Sequence, residues 1–361
     1  MRFDFQDRRD RLRETMASMG VDSVVLSVGA DMPYLTGYEA MPSERLTALV
    51  ITKSDCVLFV PELEAPGVGV TDLEVRPWAE TVDPVALVGR LLGPGSRIAV
   101  GDQMWSVFLT RLLDHVPGVT WSAASEVMRP LRIVKDDAEV DLLRRAAQGV
   151  DRVMARIPGE VGFAGRSELD VARQLARLTV EEGHDSAEFT IVASGPNGAS
   201  PHHHPGEREI EEGDLIVCDF GGRLGGYYSD STRTFVVGDP SPHAVEVHSV
   251  VAAANRAGRE LAGPDVTCAE VDAATRRVVS DAGYGELFIH RTGHGIGLEV
   301  HEHPYIVKGD QTALAPGMAF SIEPGVYVPG DFGVRIEDIV VCTDAGIVSL
   351  NESSRGLVQV S

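Results

Sequence analysis

The feature that most constrains this 361-residue chain is a pair of segments, about 100 residues apart, that each drive an apolar strand into a carboxylate. Glu212-Gly213 opens the first, and Leu215-Ile-Val-Cys218 follows and ends at Asp219. Pro316-Gly317 opens the second, and Met318-Ala-Phe-Ser-Ile322 ends at Glu323, an offset of 104 residues. Another acid lies beyond each: Asp230 ahead of Ser231-Thr-Arg-Thr-Phe-Val-Val237, and Glu337 ahead of Asp338-Ile-Val-Val341. Upstream of each segment a hydroxyl opens a helix with an acid three residues later, Ser167 with Asp170 and Thr267 with Glu270. Those helices are expected to end at Gly183 and Gly283. A period near 100 is too long for a solenoid. It fits two pseudo-symmetric halves closing around a shared site.

An isolated Asp or Glu is ordinarily a solvated surface group, and this chain has 54 of them. These four differ because they ride on apolar strands. A buried, unpaired carboxylate costs several kcal/mol or keeps its proton. Four acids converging from two halves therefore call for counter-charge, and two divalent cations set +4 against −4. The fifth candidate is His294 in Thr292-Gly-His-Gly-Ile-Gly297. A phosphate-binding glycine loop would need a helix directly after it; here Leu298-Glu-Val-His-Glu-His-Pro304 reads as turn and strand. The glycines beside His294 are expected to leave room next to the imidazole. The metal set is thus Asp219, Asp230, His294, Glu323 and Glu337. One imidazole among oxygens, without thiolate, suits two ions such as Mn²⁺, Co²⁺ or Fe²⁺, with Zn²⁺ compatible. Such a centre is hydrolytic. His202, His203 and His204 precede Asp219, and His290 and His301 flank His294. They are candidate proton donors and oxyanion stabilisers.

The length points to two domains. Residues 1–130 alternate helix and strand: a helix over 7–19, strands at 22–28 and 97–101, and a hairpin formed by 46–52 and 56–60. A long helix begins the second domain, 131–361: Val140, Leu143, Ala147, Val150, Met154 and Ile157 recur at helical spacing. Asp136 and Glu139 form its capping box, and Pro158-Gly159 its expected end. The fold class is α/β. A formal net charge of −22 argues against nucleic-acid and anionic-membrane partners. No window reaches the ~20 apolar residues of a membrane span. No leader stands at the N-terminus, and four scattered cysteines with no CxxC fit a reducing compartment, so the cytoplasm is expected.

The motifs resemble a known family. Pro201-His202, Asp219-Phe-Gly-Gly222, Tyr228-Ser-Asp230-Ser-Thr-Arg-Thr234, Gly293-His294-Gly295, Ile322-Glu323-Pro-Gly325 and Arg335-Ile-Glu337-Asp338 are similar to those of the proline-specific metallopeptidases. These comprise the Xaa-Pro dipeptidases (prolidases) and Xaa-Pro aminopeptidases of the pita-bread fold, which is shared with methionine aminopeptidase. The resemblance covers the whole chain, including a creatinase-like N-terminal domain. It implies that Asp219 is a terminal ligand of one metal, that Asp230 and Glu337 bridge, and that His294 and Glu323 hold the other. Glu323 would also accept the proton of the attacking water. His202 would contact substrate near the scissile bond, His301 would stabilise the tetrahedral intermediate, and His290 would line the proline pocket. Arg335 would orient carboxylates. The resemblance further implies homodimers.

The substrate class follows less directly. A dipeptidase must hold the free carboxylate of the second residue, best with an arginine. Some prolidases place one just after His-Glu-x-Pro, where this chain has Tyr305. Arg45 is the substitute expected here, with Asp31 or Tyr34 receiving the amino end. The expected activity is two-metal hydrolysis of Xaa-Pro dipeptides. The alternative is an Xaa-Pro aminopeptidase acting on longer peptides with proline second. A metal-independent creatinase-like hydrolase would leave all five ligands without purpose, and a non-catalytic binding protein would be expected to lose some of them. A methionine aminopeptidase would usually lack the N-terminal domain.

Overall fold

The computed structural model describes residues 3–69 and 72–361, in two compact units that meet in sequence at Arg132 and Ile133. The first unit opens with α1 (Phe5–Met19), capped by Asp4 and ended by Gly20 in the left-handed conformation. Then come β1 (Ser23–Leu26), α2 (Asp31–Thr36), β2 (Ala48–Thr52), β3 (Cys56–Pro61), β4 (Glu74–Trp78), α3 (Pro84–Gly89), β5 (Arg97–Val100), α4 (Ser106–His115), β6 (Thr120–Ala123) and α5 (Ser125–Arg132). The strands form one mixed sheet in the order β4-β3-β2-β1-β5-β6. β2 and β3 pair antiparallel across the turn at 53–55, as their spacing predicts. Val25, Val50, Phe59 and Ile98 of the sheet pack against Val85 and Val88 of α3 and Phe108 and Leu112 of α4.

The second unit begins with α6 (Asp137–Glu160), closed by the Asp136–Glu139 capping box. The helix passes through Pro158-Gly159 rather than stopping there, because proline in a final turn forfeits only one helical hydrogen bond. α7 (Glu168–Glu181) follows, capped by Ser167. Next are β7 (Ser186–Ser194), β8 (Leu215–Leu224), β9 (Tyr227–Tyr228) and β10 (Ser231–Val237). Two more helices, α8 (Pro242–Leu261) and α9 (Cys268–Asp281), precede β11 (Gly293–Gly295), β12 (Glu302–Ile306), β13 (Ala319–Ile322), β14 (Gly325–Val328), β15 (Phe332–Arg335), β16 (Asp338–Thr343), β17 (Gly346–Ser349) and β18 (Val358–Val360). One sheet runs β18-β10-β8-β7 with β9 beside β8, another runs β12-β11-β13-β16-β17, and β14 with β15 forms a hairpin.

The period-2 alternation of strands decides where the acids face. Ile216, Cys218 and Phe220 of β8 pack on Val150, Val153, Val171 and Leu175 of α6 and α7. Asp219 therefore faces away from those helices. Phe320 and Ile322 of β13 pack on Cys268 and Val271 of α9, so Glu323, the next odd position, faces away from that helix too. The strand carrying Asp219 continues to Leu224, so this acid sits mid-strand and not at a strand end. Among the described residues no helix is long and apolar enough to cross a membrane. All four cysteines are free, with Cys218, Cys268 and Cys342 buried.

Candidate metal centre

Five side chains converge in the second unit. Ligand atoms of Asp219, Asp230 and Glu337 lie within 4.8 Å of one another, and so do those of His294, Glu323 and Glu337. Glu337 belongs to both groups. His294 Nε2 stands 3.3 Å from Glu323 Oε1, 3.6 Å from Asp230 Oδ2 and 3.9 Å from Glu337 Oε1. The elements account for the meeting. Asp219 comes from β8, Asp230 from the turn into β10, His294 from β11, Glu323 from the end of β13, and Glu337 from the link between β15 and β16. Asp219, Asp230, His294 and Glu337 are all under 10% exposed.

The electrostatics fit cations and little else. Burial, then the charges of Glu337 and Asp219, push the Asp230 carboxyl well above its usual range. Burial and the charges of Glu323 and Asp219 do the same to Glu337. Glu323 is pushed up to about 7, chiefly by burial. Burial holds His294 well below its usual value, so its imidazole is neutral and can ligate. Asp219 Oδ1, Asp230 Oδ1 and Glu337 Oε1 are buried without a hydrogen-bond partner among the described residues. Buried carboxylate oxygens of this kind need protons or metal ions. An oxygen-rich set with one neutral imidazole is chemically suited to divalent cations.

Supporting hydrogen bonds orient the five. Arg335 donates to Asp219 Oδ2 (2.6 Å), Tyr327 Oη (2.8 Å), Thr232 Oγ1 (3.1 Å) and the Pro201 carbonyl (3.2 Å). Thr232 Oγ1 donates to Glu337 Oε2 (2.7 Å). Ser321 Oγ accepts from the His294 amide (2.9 Å) and donates to Glu323 Oε1 (3.1 Å). The glycines flanking His294 do not make room for a ligand, as was expected. A Cβ on Gly293 would run into the Ser321 carbonyl, and one on Gly295 into the His303 carbonyl. Their role is to let β11 pass close between β12 and β13.

A cavity of about 450 Å³ opens onto the centre, within the range of small-molecule sites. His202, His290 and His301 line it, as do all five metal candidates and Arg335. Phe189, Ile191, Pro201 and Val300 supply apolar wall. His290 is held down to about 3 by burial and by Arg335, so it is neutral. Its Nδ1 meets the Arg291 carbonyl at 2.7 Å, which requires Nδ1–H, so Nε2 accepts from Tyr327 at 2.8 Å. The His301 ring stands 4.1 Å from that of His294. His203 is bonded instead to Glu168, at 2.7 Å.

Arg45, Asp31 and Tyr34 belong to the first unit and have partners there. Arg45 is paired with Glu80 (2.6 Å) and Glu44. Asp31 is paired with Arg132 (2.7 Å). Tyr34 is buried and donates to the Leu131 carbonyl (3.1 Å). One residue that sequence analysis overlooked is Arg291, which lines the cavity with its guanidinium 4.4 Å from the Tyr305 ring centroid. It has no carboxylate partner among the described residues. It lies in the loop just before β11, beside Tyr305. Tyr327 and Thr232 were also passed over, since an isolated hydroxyl carries no pattern.

Comparisons with known proteins place the chain in a family. Metallopeptidase family M24 matches residues 141–344, and the Creatinase/Prolidase N-terminal domain matches residues 8–134. The chain is 46% identical to a probable dipeptidase PepE of Mycobacterium bovis, over 95% of this chain and 93% of that protein. The crystal structure of dipeptidase PepE from Mycobacterium ulcerans superposes with a TM-score of 0.94 at 44% identity, covering 100% of both chains. That of a recombinant prolidase from Thermococcus sibiricus gives 0.95 at 34% identity, again over 100% of each. The mixed α/β architecture is that of the pita-bread prolidases.

Proposed function

The chain belongs to metallopeptidase family M24, and on that premise we propose that it hydrolyses the Xaa-Pro bond of dipeptides, using two divalent metal ions held by Asp219, Asp230, His294, Glu323 and Glu337. Asp230, His294 and Glu337 each belong to two of the three groups of clustered ligand atoms, so Asp230 and Glu337 are the carboxylates that would serve both ions. When bound, the ions supply Lewis acidity toward the scissile carbonyl and lower the pKa of an attacking water. Glu323 would take up the proton of a water in the cavity. Its Oε1 is engaged by Ser321, which leaves Oε2 for the transfer. His301 and His202 reach the cavity from opposite segments and serve the developing oxyanion and the leaving group. His290, neutral and fixed by Tyr327, offers its ring face with Phe189 and Ile191 to the proline ring.

The observation that carries the dipeptide specificity is Arg291. It shares the cavity with Arg335, but Arg335 is bound to Asp219 whereas Arg291 has no carboxylate partner among the described residues, and its guanidinium lies over the tyrosine that stands where some prolidases have arginine. A guanidinium placed there suits the free carboxylate of proline. The donor set favours Mn²⁺, with Co²⁺, Fe²⁺ or Zn²⁺ as substitutes. Four free cysteines support a reducing cytoplasm, and the family resemblance supports a homodimer. The test compares Ala-Pro with Ala-Pro-Ala in wild type, Arg291→Leu and Arg45→Ala. Wild type is expected to prefer the dipeptide by about 100-fold in kcat/KM. Arg291→Leu should erase most of that preference. Equal cleavage of the tripeptide by wild type would move the assignment to an Xaa-Pro aminopeptidase. Loss of preference in Arg45→Ala alone would move the clamp to Arg45.

A further inference from the structure

We propose that Asn255 is a positioning residue that sets the separation of Glu323 and Glu337, and through it the affinity of the centre for divalent ions. The inference rests on the five-residue metal site proposed above. Asn255 lies on α8, is fully buried, and is not among the residues lining the cavity over the centre. Its side-chain amide nitrogen donates to two carbonyls, Ile322 O at 2.8 Å and Ile336 O at 3.4 Å. Each of these residues directly precedes a metal candidate, Glu323 and Glu337 respectively. The peptide units involved are held at their other ends as well. The Glu323 amide donates to Thr292 O at 2.8 Å, and the Glu337 amide to Thr232 O at 3.1 Å.

One NH₂ group thus ties together the two peptide planes from which the two carboxylates spring. Those planes belong to different strand connections, and β13 and β15 share no sheet. The amide cannot flip, because Arg259 Nε donates to Asn255 Oδ1 at 2.8 Å and would clash with an NH₂ there. Arg259 itself stands 3.8 Å from Asp338, the neighbour of Glu337, which Arg233 and Arg355 also hold. Gly258 lets the helix lie close to α9 and to the end of β13: a Cβ there would strike Thr275 Oγ1 and crowd Ile322 Cγ2. A buried amide with both ends satisfied and both donors spent on ligand-bearing peptides acts on the metals through the geometry of their ligands.

The measurement is calorimetric titration of Mn²⁺ into chelated protein for wild type, Asn255→Asp and Val247→Ala, each below its melting temperature. Asn255→Asp keeps shape but loses both donors. Val247→Ala loosens the same buried helix about two turns from Asn255 and leaves the Asn255 bonds to Ile322 and Ile336 in place. Asn255→Asp is expected to weaken Mn²⁺ binding by about 10- to 100-fold. It should lower kcat for Ala-Pro at saturating metal while leaving KM within about twofold. Val247→Ala should keep wild-type Mn²⁺ affinity at whatever melting temperature it has. Wild-type affinity in Asn255→Asp, or equal weakening in Val247→Ala, would overturn the inference. Failure of wild type to bind Mn²⁺ at all would instead overturn the metal site itself.

Discussion

Thr232 shows how little chemistry separates a ligand from a bystander. Its hydroxyl donates to Glu337 Oε2 and accepts from Arg335, so it links a ligand common to both groups to the arginine that holds Asp219. Thr232→Val keeps the volume and removes both bonds. Metal affinity or kcat/KM is expected to fall by about 10- to 100-fold, with Thr232→Ser restoring most of it, as read by Mn²⁺ titration and Ala-Pro hydrolysis. A Val variant that behaved as wild type would remove Thr232 from the account. Glu323 carries a different burden. Glu323→Gln keeps an oxygen for the metal and loses the base. kcat should drop by roughly 10²- to 10⁴-fold while KM stays within a fewfold, a split that steady-state kinetics resolves. The clustering of the metal candidates was legible in the sequence because burial leaves a mark there: a carboxylate such as Asp219, after four apolar residues, must answer for its charge. Arg291 left no such mark, since a cation beside a glycine-rich turn reads as ordinary surface.

Among elements, β11 is tightly constrained. Three residues long, it passes between β12 and β13 with glycine on either side of His294. Gly293→Ala and Gly295→Ala would each press a methyl group into strand backbone, which cannot move aside. Each should destabilise the protein by about 2 kcal/mol or more in chemical denaturation, with the m-value unchanged. Loss of catalysis without loss of stability would mean that the glycines serve the ligand after all. Thr267→Ala removes the capping box of α9, a change expected to lower stability by about 1 kcal/mol. The sequence declared elements wherever a local rule sufficed: the Asp136 and Thr267 boxes, the 48–61 hairpin, and the strands bearing Asp219 and Glu323. It misplaced the end of α6 at Pro158-Gly159, because a proline near a C-terminus can break a helix or be carried through its last turn. Nor did it show that Asp219 lies mid-strand, since a buried β-strand that turns polar looks in sequence like a strand that stops.

At the scale of the whole molecule, the surplus of acids becomes a linkage between protons, metal and stability. Without counter-ions, the Asp230, Glu337 and Glu323 carboxyls hold their protons above the usual range, Glu323 to about 7. Over the window between the unfolded value near 4 and those raised values, the folded protein binds more protons than the unfolded chain. Chelated protein therefore loses stability from this source as pH rises. Buried neutral His290 and His248 act in the opposite sense below about pH 6.5. The gain in melting temperature on adding Mn²⁺ should accordingly grow between about pH 5 and about pH 8, because binding releases protons. A gain that shrank with rising pH would contradict that linkage. A creatinase-like hydrolase or a binding protein on this scaffold would show neither effect in concert with activity. The central claim is tested most directly by stripping the protein of metal and following Ala-Pro hydrolysis as Mn²⁺ is returned in measured equivalents. Stripped protein should be inactive, with activity saturating near two ions per chain; full activity after exhaustive chelation, or saturation at one ion, would contradict it.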